Sequence, residues 1–233
     1  MQIILIPGLM NDAWVWRLQA GPLSRIAPVT VANNDGCDSL GAMAERILAL
    51  SHGPLAVVGH SMGGRAALEV AARAPERLAG LALLDTGAGG PAEGEAAGRL
   101  RLVELARREG MAAVAREWLP PMLAPEHRSD HGLITGITRM LERCTPDIFA
   151  AQQQALLGRP DRTALLPSIA CPTLVATGSE DAWAPPGQHK AMADAIPGAV
   201  LRVVEGSGHM LPVEAPEALT DLLVEWVTAY APS

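Results

Sequence analysis

Residues 54–71 read PLAVVGHSMGGRAALEVA. Leu55 to Val58 has the unbroken apolar character of a strand buried on both faces, and the run stops at Gly59. From Met62 onward the apolar residues recur at helical spacing. Between the two stands one hydroxyl, Ser61, with Gly59 two residues before it and Gly63 two residues after. A side chain at so tight a bend is thrust out at the carboxyl end of the strand, the edge where open α/β sheets bind ligands. Glycines at the flanking positions leave room for a strained backbone and for close helix packing. The GxSxG spacing therefore holds an oxygen nucleophile over a helix N-terminus, whose dipole and free N–H groups favour developing negative charge. The plainer reading of Ser61 is an N-cap, and the rest of the chain has to decide.

Working outward, short apolar runs alternate with helical patterns, the signature of βα units and a mainly parallel sheet. Strands are expected at Gln2–Ile6, Val29–Ala32, Leu55–Val58, Leu81–Leu84, Thr173–Ala176 and Val200–Val204. Helices are expected at Trp14–Leu23, Leu40–Leu50, Met62–Ala74, Gly187–Ala195 and Pro216–Thr228; the spacing of Leu219, Leu222, Leu223 and Trp226 assigns Trp226 to the core. The alternation breaks after TGAGGPAEGEAAG (86–98), a Gly/Ala connector without the GxxxxGK[ST] of a phosphate loop. The stretch beyond it, interrupted at Pro120–Pro121, Pro125 and Pro146, reads as an all-helical insertion. The expected organisation is a core of residues 1–87 and 167–233 with a helical cap over 88–166.

A serine hydroxyl needs a base within hydrogen-bond reach. Of six histidines, His60 adjoins Ser61 but points away from it, and reads as packing. His52 lies in a connector, and His127, His131 and His189 read as surface residues. His209 follows the last strand in a glycine-lined loop, GSGHMLPVEAPE (206–217), which brings it to the same sheet edge as Ser61. Such a base also wants a carboxylate to fix its tautomer. Asp181, in the turn after the strand PTLVATG, is preferred over Glu180 beside it and over Asp85 at the end of LALLD. The order Ser61, Asp181, His209 is that of one fold class.

At this point the chain resembles the α/β-hydrolase family over nearly its whole length. The resemblance rests on the GHSMGG turn, TGSEDAWAP with the pattern GxxDxxxP, and the histidine loop, in order at the ends of three strands. It implies a compact fold of six parallel strands flanked by helices, without the family's first two-strand hairpin, and a cap insertion. It also implies that Ser61, Asp181 and His209 are catalytic and that the backbone N–H groups of Leu9 and Met62 form an oxyanion hole. The loop holding Leu9 reads Pro7-Gly8-Leu9 where the family has His-Gly-X, so support from that histidine is missing. Asn11 or Asp12 reads as a cap for the helix of Trp14 and Trp16.

The expected reaction is hydrolysis of a carboxylic ester or lactone of a small, largely apolar substrate through an acyl-enzyme on Ser61. Serine rather than aspartate at 61 speaks against the branches that attack through a carboxylate. A C–C bond or enol-lactone hydrolase, or a non-catalytic binding member of the fold, is the alternative. Trp118, Leu119, Met122 and Met140 are expected to line the pocket beside Trp183, and Arg65 to be a structural ion-pair partner. No metal-ligand spacing or dinucleotide fingerprint occurs, so no cofactor is implied. A net charge of −7 without a basic run argues against nucleic acid as a partner. The apolar start MQIILIPGLMND is too short for a membrane span or signal and reads as the first strand, and three cysteines without CxxC spacing fit reduced thiols. A cytoplasmic protein with a small-molecule ester or lactone as its partner is expected, in an oligomeric state the sequence leaves open.

Overall fold

The computed structural model describes residues 1–230. The apolar runs form the strands β1 (Gln2–Ile6), β2 (Val29–Val31), β3 (Leu55–His60), β4 (Leu78–Leu84), β5 (Thr173–Gly178) and β6 (Val200–Val204). They pair in parallel throughout, in the order β2-β1-β3-β4-β5-β6. Ile3 to Ile6 and Leu55 to Val58 are completely buried, which explains why these strands carry no polar alternation. β6, at the sheet edge, is partly exposed. The chain runs from β1 outward to β2 and then crosses to β3 on the other side of β1. The switch point between β1 and β3 opens a crevice at their carboxyl ends, and the loops carrying Leu9 and Ser61 flank it.

The helices are α1 (Ala20–Leu23), α2 (Leu40–Ala49), α3 (Met62–Arg73), α4 (Glu95–Glu109), α5 (Met111–Trp118), α6 (His131–Arg143), α7 (Pro146–Leu157), α8 (Pro186–Ala195), α9 (Leu211–Glu214) and α10 (Pro216–Thr228). In α2, Ser39 Oγ accepts the Ala42 amide and caps the start. α10 buries Leu219, Leu223, Trp226 and Val227, so Trp226 is a core residue. The continuous helix expected over Trp14–Leu23 does not form. A 3₁₀ turn at Ala13–Trp16, capped by Asp12 Oδ1 on the Trp14 amide at 2.8 Å, is followed by only one turn of α1. Pro22 explains the break, since it cannot donate to the Leu18 carbonyl and its ring would collide there.

Helices α4 to α7 lie between β4 and β5 in the chain and pack on one another around Val114, Ile137, Met140, Leu141 and Phe149. Their connecting segment is stitched to the loop after β6. The His209 amide donates to the Met122 carbonyl at 2.8 Å, and Glu214 Oε2 accepts from the Ala124 amide at 2.8 Å. Glu214 Oε1 also takes the Met210 amide at 2.9 Å. One buried carboxylate thus ties the cap segment to the histidine loop.

Candidate active site

Ser61 sits at the end of β3 with φ 54° and ψ −116°, a conformation that side-chain-bearing residues rarely adopt. The amide of Ser61 donates to the Leu84 carbonyl at 2.9 Å, while its own carbonyl accepts from the Gly64 amide and from Thr86 Oγ1. These bonds over-determine the strained backbone. The glycines on either side are a packing requirement: a Cβ on Gly59 would lie 2.6 Å from Gly64 Cα, and one on Gly63 would lie 2.8 Å from the Ile6 carbonyl carbon. The remaining non-glycine residues with positive φ among those described are Met10 and Asp85, which follow β1 and β4. Backbone strain is therefore confined to one rim of the sheet.

Ser61 Oγ lies 2.8 Å from His209 Nε2, and His209 Nδ1 lies 2.9 Å from Asp181 Oδ2. Asp181 Oδ1 accepts the amides of Trp183 at 2.8 Å and Ala184 at 2.9 Å. Burial pushes the Asp181 carboxyl up, but His209 and these two amides outweigh it and hold the group below its ordinary value. An ionised carboxylate only accepts, so Nδ1 carries the proton and donates; Nε2 is then free to accept from the Ser61 hydroxyl. Residues that follow β3, β5 and β6 thus form one unbroken hydrogen-bonded path.

Three buried groups surround this path. His60 donates from Nε2 to the His209 carbonyl at 2.7 Å, turned away from Ser61 as the sequence suggested. Burial, and then the neighbouring His209, lower its pKa to about 3, so it is a neutral support for the His209 backbone. Asp85 Oδ1 accepts the Gly178 amide at 3.1 Å. Burial and then Asp181 raise the Asp85 carboxyl well above its ordinary value, so its 3.6 Å approach to His60 is not an ion pair. His189, expected at the surface, is fully buried: Nε2 accepts the Thr86 amide at 2.9 Å and Nδ1 faces the Pro185 carbonyl. It fastens the end of β4 to α8. The spacing of His189, Met192 and Ile196 on one helical face carried that signal in the sequence.

The amides of Leu9 and Met62 border the same cavity as Ser61 and His209, and neither has a hydrogen-bond partner among the described residues. For Met62 this follows from its position in the first turn of α3. The Leu9 loop is held by a residue with no local signal in the sequence, Gln152 of α7, whose Oε1 accepts the Met10 amide at 2.8 Å. The cavity measures about 850 Å³, within the range of small-molecule sites. Trp118 and Met122 line it, and Trp183, half exposed, stands at its edge. Met140 and Leu119 do not line it. Met140 shares a face of α6 with Ile137 and Leu141 and is consumed by packing inside the cap, and Leu119 is buried in the same way. Arg65 is also not the ion-pair partner expected. It borders the cavity, donates from Nη1 to the Gly89 carbonyl at 2.7 Å, and has no carboxylate within ion-pair distance among the described residues.

A parallel sheet that presents a serine of this geometry at its switch point, under a helical insertion, is the arrangement of the α/β hydrolases. The sequence model of the alpha/beta hydrolase family matches residues 3–222, and the chain belongs to that family. It is 32% identical over 196 residues to a pimeloyl-[acyl-carrier protein] methyl ester esterase of Neisseria meningitidis, covering 81% of this chain and 74% of the relative. Among solved structures, a thermophilic esterase from Thermogutta terrifontis, malate bound, superposes with a TM-score of 0.92 at 32% identity, covering 100% of this chain and 91% of that one. The enol-lactonase from Burkholderia xenovorans LB400 does so with a TM-score of 0.87 at 26% identity, covering 97% and 91%. The chain is a hydrolase-family member whose relatives include esterases. No helix among the described residues is long and apolar enough to cross a membrane.

Proposed function

We propose that this chain is a serine hydrolase that cleaves a carboxylic ester or lactone through an acyl-enzyme on Ser61. The observation that carries the reading is the unbroken path from Ser61 Oγ through His209 to Asp181, with distances of 2.8 and 2.9 Å. His209 Nε2 takes the hydroxyl proton as Oγ attacks the ester carbonyl carbon, and Asp181 stabilises the imidazolium that results. The carbonyl oxygen becomes an oxyanion held by the Leu9 and Met62 amides, each such donor contributing about 3 kcal/mol to the transition state. His209 then protonates the departing alkoxide, leaving the acyl group on Ser61. In the second half the same imidazole deprotonates a water that attacks the acyl-enzyme, and the carboxylic acid and free serine are restored.

The apolar part of the wall, with Leu9, Trp118, Met122 and Leu156, fits a small hydrocarbon arm. The likeness to esterases at 32% identity and to an enol-lactonase at 26% favours carboxylic esters and lactones together. A lactone takes the same steps, with the leaving alkoxide remaining tethered to the acyl group. Release of para-nitrophenol from short-chain esters tests the reading: the wild type turns over and Ser61→Ala does not. A wild type that is inert towards esters and lactones alike would overturn it and leave the C–C bond hydrolase and the non-catalytic binding member of the fold.

A further inference from the structure

Charged groups on the cavity wall are unequally matched. Four arginines, Arg65, Arg99, Arg101 and Arg159, and two glutamates, Glu95 and Glu117, border it. Arg101 and Glu117 pair with each other and are largely exposed. Glu95 is shared: Arg159 grips it through Nη1 at 2.7 Å and Nη2 at 2.6 Å, and Arg99 Nε reaches it at 2.6 Å. Burial works to raise the Glu95 carboxyl, but Arg159, the Ala92 amide and Arg99 bring its pKa down to about 2, so it is ionised near neutral pH. One carboxylate therefore serves two guanidiniums, and Arg65 has none. The other acid on the wall, Asp85, is buried, and burial and then Asp181 raise its carboxyl well above the ordinary value, which disfavours a negative charge there. A chain of net charge −7 thus keeps an excess of positive charge beside its nucleophile.

Arg65 is the group that bears this imbalance. Its Nη1 is used by the Gly89 carbonyl, while Nε and Nη2 have no partner among the described residues. A Cβ on Gly87 would collide first with the Gln188 side-chain amide and would also lie 3.3 Å from Nη2, so only a glycine fits against this corner. Burial, and then repulsion from Arg159, bring the Arg65 pKa down to about 10, which still leaves it charged near neutral pH. Holding a guanidinium in such a place is unfavourable unless an anion completes it. Ser61 immediately precedes α3 in a non-helical conformation, Arg65 stands in the first turn of that helix, and both border the cavity. A ligand spanning that turn would meet both.

Resting on the ester-hydrolase reading above, we infer that Arg65 receives a carboxylate carried by the substrate a few carbons from the scissile ester. The preferred substrates are then half-esters of dicarboxylic acids, or hydroxy-acid esters with the charge on the alcohol side. The arms of the test separate the two sources. Mono-para-nitrophenyl glutarate is compared with para-nitrophenyl pentanoate, and γ-acetoxybutyrate with butyl acetate, each acid with its neutral counterpart. The wild type is expected to favour the acid of one pair by about ten- to hundredfold in kcat/KM, the worth of a charged hydrogen bond. The ratio cancels any general loss of activity; it should collapse in Arg65→Gln and fall part-way in Arg65→Lys, which keeps the charge without the planar fork. Arg65→Lys also serves if Arg65→Gln fails a thermal-melt check. Binding of glutarate to Ser61→Ala by titration calorimetry, lost in the double variant with Arg65→Gln, gives a readout independent of turnover. Neutral esters hydrolysed in preference to both acids, or a ratio insensitive to Arg65, would overturn the inference and leave the hydrolase reading intact. Arg65-dependent glutarate binding by a protein that turns over no ester would do the reverse.

Discussion

Replacing Asp181 by asparagine tests how the proton path is set. Asp181 Oδ1 accepts two backbone amides and Oδ2 accepts the His209 Nδ1 proton. Asparagine has one oxygen to offer. If it stays on the amides of Trp183 and Ala184, its NH₂ group faces Nδ1, the imidazole must change tautomer, and Nε2–H can no longer accept from Ser61. If it turns to face Nδ1, the NH₂ group opposes two buried N–H donors. Leaving those unsatisfied costs about 1–3 kcal/mol each, so the productive tautomer becomes roughly thirty- to twenty-thousandfold rarer. The lost negative charge also withdraws support from the imidazolium. Together these predict a fall of about ten-thousandfold in kcat, or about 5 kcal/mol. The fold should survive, because the favoured orientation keeps both backbone bonds; a thermal melt checks this, and para-nitrophenyl butyrate hydrolysis measures the rest. Asp85→Asn, at a carboxyl that touches neither Ser61 nor the His209 ring and keeps an oxygen for the Gly178 amide, should cost far less. A folded Asp181→Asn protein with near-normal turnover would refute the reasoning.

Gly63→Ala places a methyl group against the Ile6 and Pro7 carbonyls, which belong to strand and loop backbone. It should lose about 3 kcal/mol or more in denaturant titration, and soluble protein of unchanged stability would contradict the packing account. Gln152→Leu removes the acceptor for the Met10 amide and should lower kcat by slackening the Leu9 loop, while Gln152→Glu, which keeps an acceptor oxygen, should recover most of it. Stability should fall with acid through His60, whose pKa is near 3 when folded and about 6.5 when unfolded. Between these values the unfolded chain takes a proton that the native chain refuses, so stability is full above pH 6.5 and drops by up to about 1.4 kcal/mol per unit below it. Chemical denaturation across that window should show the slope in the wild type and a shallower one in His60→Gln.

Much of this molecule was legible because its chemistry sits where local patterns end. Strands buried on both faces write uninterrupted apolar runs; Ser61 and Asp181 fall just after such strands and His209 after the partly exposed edge strand β6, each in a glycine-containing turn. A strand end fixes position along the sheet edge, so three separate turns implied one rim. The misses are matters of partnership rather than position. Met140 lies on an apolar helix face, and periodicity cannot say whether that face meets a ligand or another helix. Arg65 follows Ser61 by four positions, but whether it finds a carboxylate depends on how Arg99 and Arg159 occupy Glu95, far along the chain. Gln152 holds the Leu9 loop across 142 positions of sequence, with no local trace. Pro22 carries a signal of another kind, since its missing N–H divides the helical pattern of residues 14–23.

The central claim is that Ser61 is made nucleophilic by its contact with His209. Treatment with a fluorophosphonate, followed by intact-mass and peptide mapping, tests it most directly. A single adduct on the peptide bearing Ser61, formed by the wild type and absent from Ser61→Ala and His209→Ala, is the result predicted. Labelling at another residue, or wild-type protein that stays unmodified while folded, would contradict it.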